Sequence, residues 1–445
     1  MKIQSLLFSS LATCLLSSAA LAEQSQLIHS VQSQSYDVVV LGDIEGMKSR
    51  LTSFIEKSGV FARDLNGHYI QDADGAYELL PGKAFTFMGD IEDRGDSGRE
   101  LMEFAIKLKK KYPDRVSLTI GNRDLRKLIL ITELTDEALL KVDAAFDKFL
   151  SKDLGLDPVL HHMGRDLKVV YLMWGTRMRL AELQKTNVQA GLREVVDSYN
   201  HDMKPEGLIG QYLQLAQFGF VDDSTGTISV HGALRDANFL KIPWLPFQQW
   251  TDVRKWITDL NQTGHALIVK ALNGDHQSGQ ILADYARNIQ ESVVGARLED
   301  EHGVPELPEP EVIATLLEQN IRRLVIGHTP AGEYPALIRG RGFEVLMTDL
   351  SFNQSKISQL IHMQGDELHV TTSTPGESDV TINLRYHDTS VLGTVASGHL
   401  IVGESGGDYV LYRIGPKFSR VYKRVPKSQI HKYVHPTCAE LFSQI

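Results

Sequence analysis

Five short glycine-containing polar stretches each stand directly after an apolar run, and that placement restricts the folds open to the chain. Gly42-Asp43-Ile44-Glu45-Gly46 follows residues 36–41, and Gly89-Asp90-Ile91-Glu92-Asp93-Arg94-Gly95 follows residues 84–88. Gly121-Asn122-Arg123-Asp124 follows 116–120, His231-Gly232 follows 227–230, and Gly327-His328-Thr329-Pro330 follows 321–326. Short runs continuous in valine, leucine, isoleucine and phenylalanine have the character of buried strands. Helices over residues 98–111 and from about Arg123 alternate with the first three runs, which predicts an α/β sheet with crossovers. Polar groups at the strand ends would then meet on one rim, where open α/β sheets bind ligands.

Between about 125 and 220, apolar residues recur at three- and four-residue spacing, notably over 139–150 and 176–196, predicting a helical cap. Residues 236–319 carry aromatic and amphipathic segments and a proline-rich loop at 305–310. Residues 343–347 and 367–372 have strand character. The polar turn 373–379 marks a boundary. Residues 380–445 alternate apolar and polar letters between glycine turns, a small β-rich appendage to a main domain over 36–375.

The chain has 445 residues and a net charge of −10, without a lysine or arginine run to suggest a nucleic-acid or anionic-membrane partner. Lys2, the apolar stretch 6–16 and the Ala20-Leu21-Ala22 ending predict a signal peptide over residues 1–22, cut before Glu23. The expected product is exported, periplasmic or secreted, with no stable membrane anchor. Of the two cysteines, Cys14 leaves with that leader and Cys438 remains, so no intrachain disulfide is expected.

Each motif alone is weak, because a Gly-Asp pair is ordinarily a turn. His161 and His162 are read as cap residues, and Gly274-Asp275-His276, with no strand before it, as a loop. Five motifs in order on strand ends are a different matter. Carboxylates, an asparagine oxygen and imidazoles converging on one point suit a pair of divalent cations. Such a pair lowers the pKa of a shared water and neutralises charge on a phosphoryl group. Arg94, on the same rim, can grip phosphate oxygens.

These motifs resemble the calcineurin-like metallophosphoesterase superfamily, particularly its phosphoprotein-phosphatase branch, whose pattern is GDxHG, GDxxDRG, GNHE or GNHD, an HG histidine and a late GH. The resemblance spans roughly residues 36–353. It implies a β-sandwich flanked by helices, two divalent ions (manganese first, then magnesium, iron, zinc or calcium), and hydrolysis of phosphorylated proteins or small phosphate esters. By resemblance Asp43 binds the first metal, Asp90 bridges both, and Asn122, His231 and His328 bind the second. Asp93 orients position 123 and Arg94 binds phosphate. Residues 347–351 match the family's late strand and loop, with no chemistry assigned.

Two departures stand out. Glu45 replaces a metal-binding histidine; it is read as an oxygen ligand, the alternative being a weak or empty first site. Arg123 replaces the histidine that protonates the leaving group. A guanidinium does not release a proton at working pH, though it can bind phosphate or stabilise a developing alkoxide. The leading reading is a phosphate monoesterase that prefers aryl esters such as phosphotyrosine. A phosphodiesterase or nucleotide hydrolase, and a catalytically degenerate phosphate-binding module, are the alternatives.

Overall fold

The apolar runs form strands where expected, and they sort into two sheets. The computed structural model describes residues 36–133, 167–300, 304–350, 358–396, 399–414 and 420–433. The leader, residues 134–166 of the cap with His161 and His162, Ser351 and Cys438 lie outside the described residues. The first strands are β1 (Asp37–Leu41), β2 (Lys83–Phe87), β3 (Val116–Leu118), β4 (Gly219–Asp222) and β5 (Thr227–Val230). Then come β6 (Arg323–Ile326), β7 (Ala336–Gly340), β8 (Phe343–Met347), β9 (Ser358–Gln364) and β10 (Glu367–Ser373). The last are β11 (Val380–Arg385), β12 (Val395–Ala396), β13 (His399–Ser405), β14 (Asp408–Ile414) and β15 (Arg420–Pro426).

One sheet has the order β15-β14-β13-β11-β10-β9-β1-β2-β3, with β12 paired to β13; the other runs β4-β5-β6-β8-β7. Each contains a parallel trio, β1-β2-β3 in the first and β5-β6-β8 in the second. Alternation along the strands sorts their side chains. Val38, Val40 and Ala84 share a buried cluster with Val325, Leu337 and Leu346, the interior of a sandwich. Val39, Leu41, Phe85 and Phe87 belong instead to the cluster that includes helical Leu51, Phe54 and Leu101. Each such fully buried side chain contributes roughly 1.5–3 kcal/mol. The fold is thus α/β, two packed sheets with helices on their outer faces.

The helices are α1 (Lys48–Lys57), α2 (Gly98–Lys111), α3 (Asn122–Arg126), α4 (Leu130–Glu133), α5 (Leu167–Gln184), α6 (Leu192–Asp202), α7 (Leu208–Leu215), α8 (Val253–Leu272), α9 (His276–Arg287) and α10 (Pro310–Glu318). In α2, Leu101, Ala105 and Leu108 are buried at four- and three-residue spacing, and three lysines close the last turn, where the helix dipole favours cations. Among the described residues no helix is long and apolar enough to cross a membrane.

One expectation needs correction. His276 is the first residue of α9 rather than part of a loop, because the Asp275 carboxylate caps the helix by accepting the Gln277 N–H. Residues 236–319 hold the twenty-residue α8, capped by Asp252. Residues 374–379 link β10 to β11. β10 pairs with β11 across them, so the β-rich C-terminal strands continue the sheet that contains β1.

Candidate metal centre

The two parallel trios end on one rim, and their loops interlock. Glu45 N–H donates to the Asp90 carbonyl at 2.9 Å, Gly46 N–H to Ile91 at 2.7 Å, and Gly327 N–H to His231 at 2.9 Å. Glu45 (φ 51°), Asp90 (φ 51°), Asp93 (φ 101°) and His328 (φ 59°) adopt left-handed backbone conformations. These cost energy in residues with a Cβ, and such strain gathers at functional sites. Close approach explains two of the motif glycines. A Cβ on Gly121 would stand 2.2 Å from Asp90 N, and one on Gly327 would stand 2.2 Å from Asp43 Oδ1.

Asp90, His231 and His328 each bring a ligand atom within 4.8 Å of the other two. His231 Nδ1 lies 2.6 Å from the Met88 carbonyl, which only accepts, so Nδ1 carries a proton and Nε2 is the atom turned to the rim. Nε2 faces Asp90 Oδ1 and Asn122 Oδ1, each at 3.3 Å. His328 Nε2 is shielded from solvent and has no hydrogen-bond partner. Burial pulls both imidazoles below their ordinary pKa, His328 strongly. Burial opposes charge on Asp90, yet His231 and Arg123 outweigh it and hold the carboxyl below the usual range. A carboxylate, an asparagine side chain and two imidazoles gathered this closely fit a divalent cation.

The residues expected at the first metal are arranged differently. Asp43 Oδ2 accepts the His328 backbone N–H at 2.9 Å, while Oδ1 is buried without a hydrogen bond. Glu45 is 3% exposed, and its Oε1 lies 3.0 Å from Arg94 Nε and 3.1 Å from Arg123 Nη1, at ion-pair distance. Arg123 Nε lies 3.2 Å from Asp90 Oδ2, and its backbone N–H donates to Asp90 Oδ1 at 3.0 Å. Asp43, Glu45 and Asp90 therefore do not form a second converging set among the described residues. Glu45, expected as a ligand, has two guanidinium groups beside Oε1, while its Oε2 is buried without a hydrogen bond.

Arg94 and Arg123, expected on phosphate, both contact this glutamate. Asp93, expected to orient position 123, accepts Lys127 Nζ at 2.8 Å. Lys127 also lies 3.1 Å from Glu92, whose other oxygen accepts Arg179 from α5 at 2.8 Å. Arg179 pairs in turn with Asp202 at the end of α6, so a buried ion network ties the helical cap to the rim.

Two functional candidates went unassigned in the sequence. Asp349 follows β8 as Asp43 follows β1; it is buried, and its Oδ1 has no hydrogen bond. Burial and the neighbouring Glu45 push its carboxyl up to about 8. Burial, with Asp349, Asp90 and Glu45 nearby, raises Asp43 well above its usual range. Asp124 accepts the N–H groups of Asp90, Ile91 and Gly121 and so fixes the loop that carries Asp90. The signal for Asp349 was present, an acidic residue two positions beyond an apolar run, although Thr348 stands where the motifs have glycine.

No family model matches the chain. Among solved structures, it is similar to the cold-active protein-tyrosine phosphatase of a psychrophilic Shewanella species, at 16% identity over 77% of this chain and 80% of that one, with a TM-score of 0.45. A further structure titled as cold-active protein tyrosine phosphatase gives 16% identity, coverages of 79% and 82%, and a TM-score of 0.47. A protein serine/threonine phosphatase from Saccharomyces cerevisiae gives 13% identity, coverages of 81% and 89%, and a TM-score of 0.39.

Proposed function

We propose that this chain is a metal-dependent phosphoesterase that hydrolyses phosphate monoesters, with phosphoproteins or phosphopeptides as the favoured substrates. One observation carries this reading: Asp90, His231 and His328 bring ligand atoms within 4.8 Å of one another, with His231 Nε2 3.3 Å from Asp90 Oδ1. Asp90, Asn122, His231 and His328 would hold the ion, and their mixed carboxylate, amide and imidazole donors suit manganese, then magnesium, iron, zinc or calcium. A divalent cation there supplies a water of lowered pKa and a Lewis acid for a phosphoryl oxygen.

The chain's own residues set the rest. His231 is fixed in its ligating tautomer by the Met88 carbonyl. Arg94 and Arg123 put two permanent positive charges on the rim, and a phosphate dianion can compete with Glu45 for them. Arg123 cannot protonate a departing alkoxide, which favours leaving groups that depart as anions, phosphotyrosine among them. The signal-like leader supports an exported enzyme. The ion pairs of Glu45 keep a second reading in play, a phosphate-binding module without turnover.

The experiment is hydrolysis of p-nitrophenyl phosphate in added manganese, with Asp90→Asn beside the native protein. Turnover that the variant loses by roughly 10²-fold or more supports the enzyme. Phosphate binding without turnover in the native protein would replace it with the binding module.

A further inference from the structure

We propose that the centre is built for one ion, with the Arg123 guanidinium standing in for a second cation between Glu45 and Asp90. This rests on the metal-dependent reading above. Asp90 divides its two oxygens. Oδ1 faces the imidazole of His231 at 3.3 Å, and Oδ2 faces Arg123 Nε at 3.2 Å. A carboxylate that could bridge two metal ions here bridges the imidazole pocket and a guanidinium.

The clamp is two-ended. Arg123 also donates its backbone N–H to Asp90 at 3.0 Å and sets Nη1 3.1 Å from Glu45 Oε1, where Arg94 Nε stands at 3.0 Å. The Arg123 side chain is 13% exposed and that of Glu45 is 3% exposed, so solvent screens these contacts little. A guanidinium keeps its charge at every working pH, and it is fixed to the chain at the motif that also carries Asn122. A divalent ion brought between Asp90 Oδ2 and Glu45 would meet that charge at contact distance. Among the described residues, only Asp90, His231 and His328 draw three such ligand atoms together.

The arrangement also leaves a latent site. Asp43 Oδ1, Glu45 Oε2 and Asp349 Oδ1 are buried without hydrogen bonds. Arg123 is the residue whose removal would take the guanidinium from Asp90 Oδ2 and leave Arg94 as the cation beside Glu45 Oε1.

The test is metal stoichiometry. Native protein, Arg123→Ala, Arg123→His and Asp90→Asn are equilibrated with Mn(II), and bound metal is counted by mass spectrometry. Electron paramagnetic resonance then separates the hyperfine sextet of an isolated ion from the signals of an exchange-coupled pair. The expected result is one ion with an isolated signal in the native chain, a second ion in at least one Arg123 variant, and loss of the ion in Asp90→Asn. Two coupled ions in the native chain overturn the one-ion centre alone and leave the phosphoesterase reading standing. One ion in the native chain and in both folded Arg123 variants removes Arg123 as the stand-in. No bound metal in any folded protein sinks both readings, and unfolding of the Arg123 variants leaves the native count as the decisive measurement.

Discussion

Asp124 Oδ2 accepts the backbone N–H of Asp90 at 3.0 Å and so holds the would-be metal ligand from behind. The same oxygen accepts Gly121 N–H at 2.8 Å, and Oδ1 accepts Ile91 N–H at 3.0 Å. Asp124→Ala would strand three buried amides, at about 1–3 kcal/mol each before relaxation. Manganese affinity is expected to fall by roughly 10–100-fold, as when outer-shell partners are removed. Metal titration alongside urea unfolding checks both, and undiminished affinity in a folded variant would deny Asp124 this positioning role.

Gly327→Ala places a Cβ 2.2 Å from Asp43 Oδ1, a clash that one of the two must move to relieve. Displacement of about 1 Å at such a site costs roughly 10²-fold in rate. The variant should keep its circular dichroism and lose activity on p-nitrophenyl phosphate. Full activity would mean that Asp43 is not held where the chemistry needs it.

Substrate preference follows from Arg123, which lies 3.1 Å from Glu45 and has no proton to give. Phosphotyrosine peptides should turn over faster than phosphoserine peptides of the same sequence, by about tenfold or more in kcat/KM. Steady-state rates on the two peptides decide it, and equal or faster cleavage of phosphoserine rejects the idea.

Lys109 offers a pH test far from these carboxylates. Its ammonium is buried against the carbonyls of Pro113 and Val116, and burial lowers its pKa to about 8, with Asp114 opposing. Between about 8 and its unfolded value, the unfolded chain binds the proton that the folded chain has shed, so stability rises with pH. The full swing is about 3 kcal/mol by the same linkage. Relative to Lys109→Met, the native protein should therefore gain stability from pH 8 to about 10. A difference that stays flat across that range would place the lysine elsewhere on its titration curve.

Strands β1, β2, β5 and β6 were readable because each is buried on both faces and needs unbroken apolar letters. The α8 helix was hidden because its buried stripe carries Asn261, Gly264 and His265. Asn261 completes the hydrogen bonds of Phe218 and Gly219, His265 contacts the Gln214 carbonyl, and a Cβ on Gly264 would strike the Phe218 ring at 2.3 Å. The polar letters of the rim were equally plain, but their pairing was not. Whether Glu45 meets a metal or two arginines depends on where two separate loops lie in space. Lys127 was legible only as a helix residue, since its partners Glu92 and Asp93 come from a loop earlier in the chain.

The strand that carries Asp43 finds its antiparallel neighbour only in β9, through pairs such as Val39 with His362; the nearby contact between Asp37 and His362 joins residues 325 apart. A nascent chain could emerge from the ribosome with every polar motif already made and still lack the scaffold that aligns them. Assembly must then wait for late synthesis, and a proteolytic fragment ending before β9 would carry the donor atoms with an open edge beside the first of them.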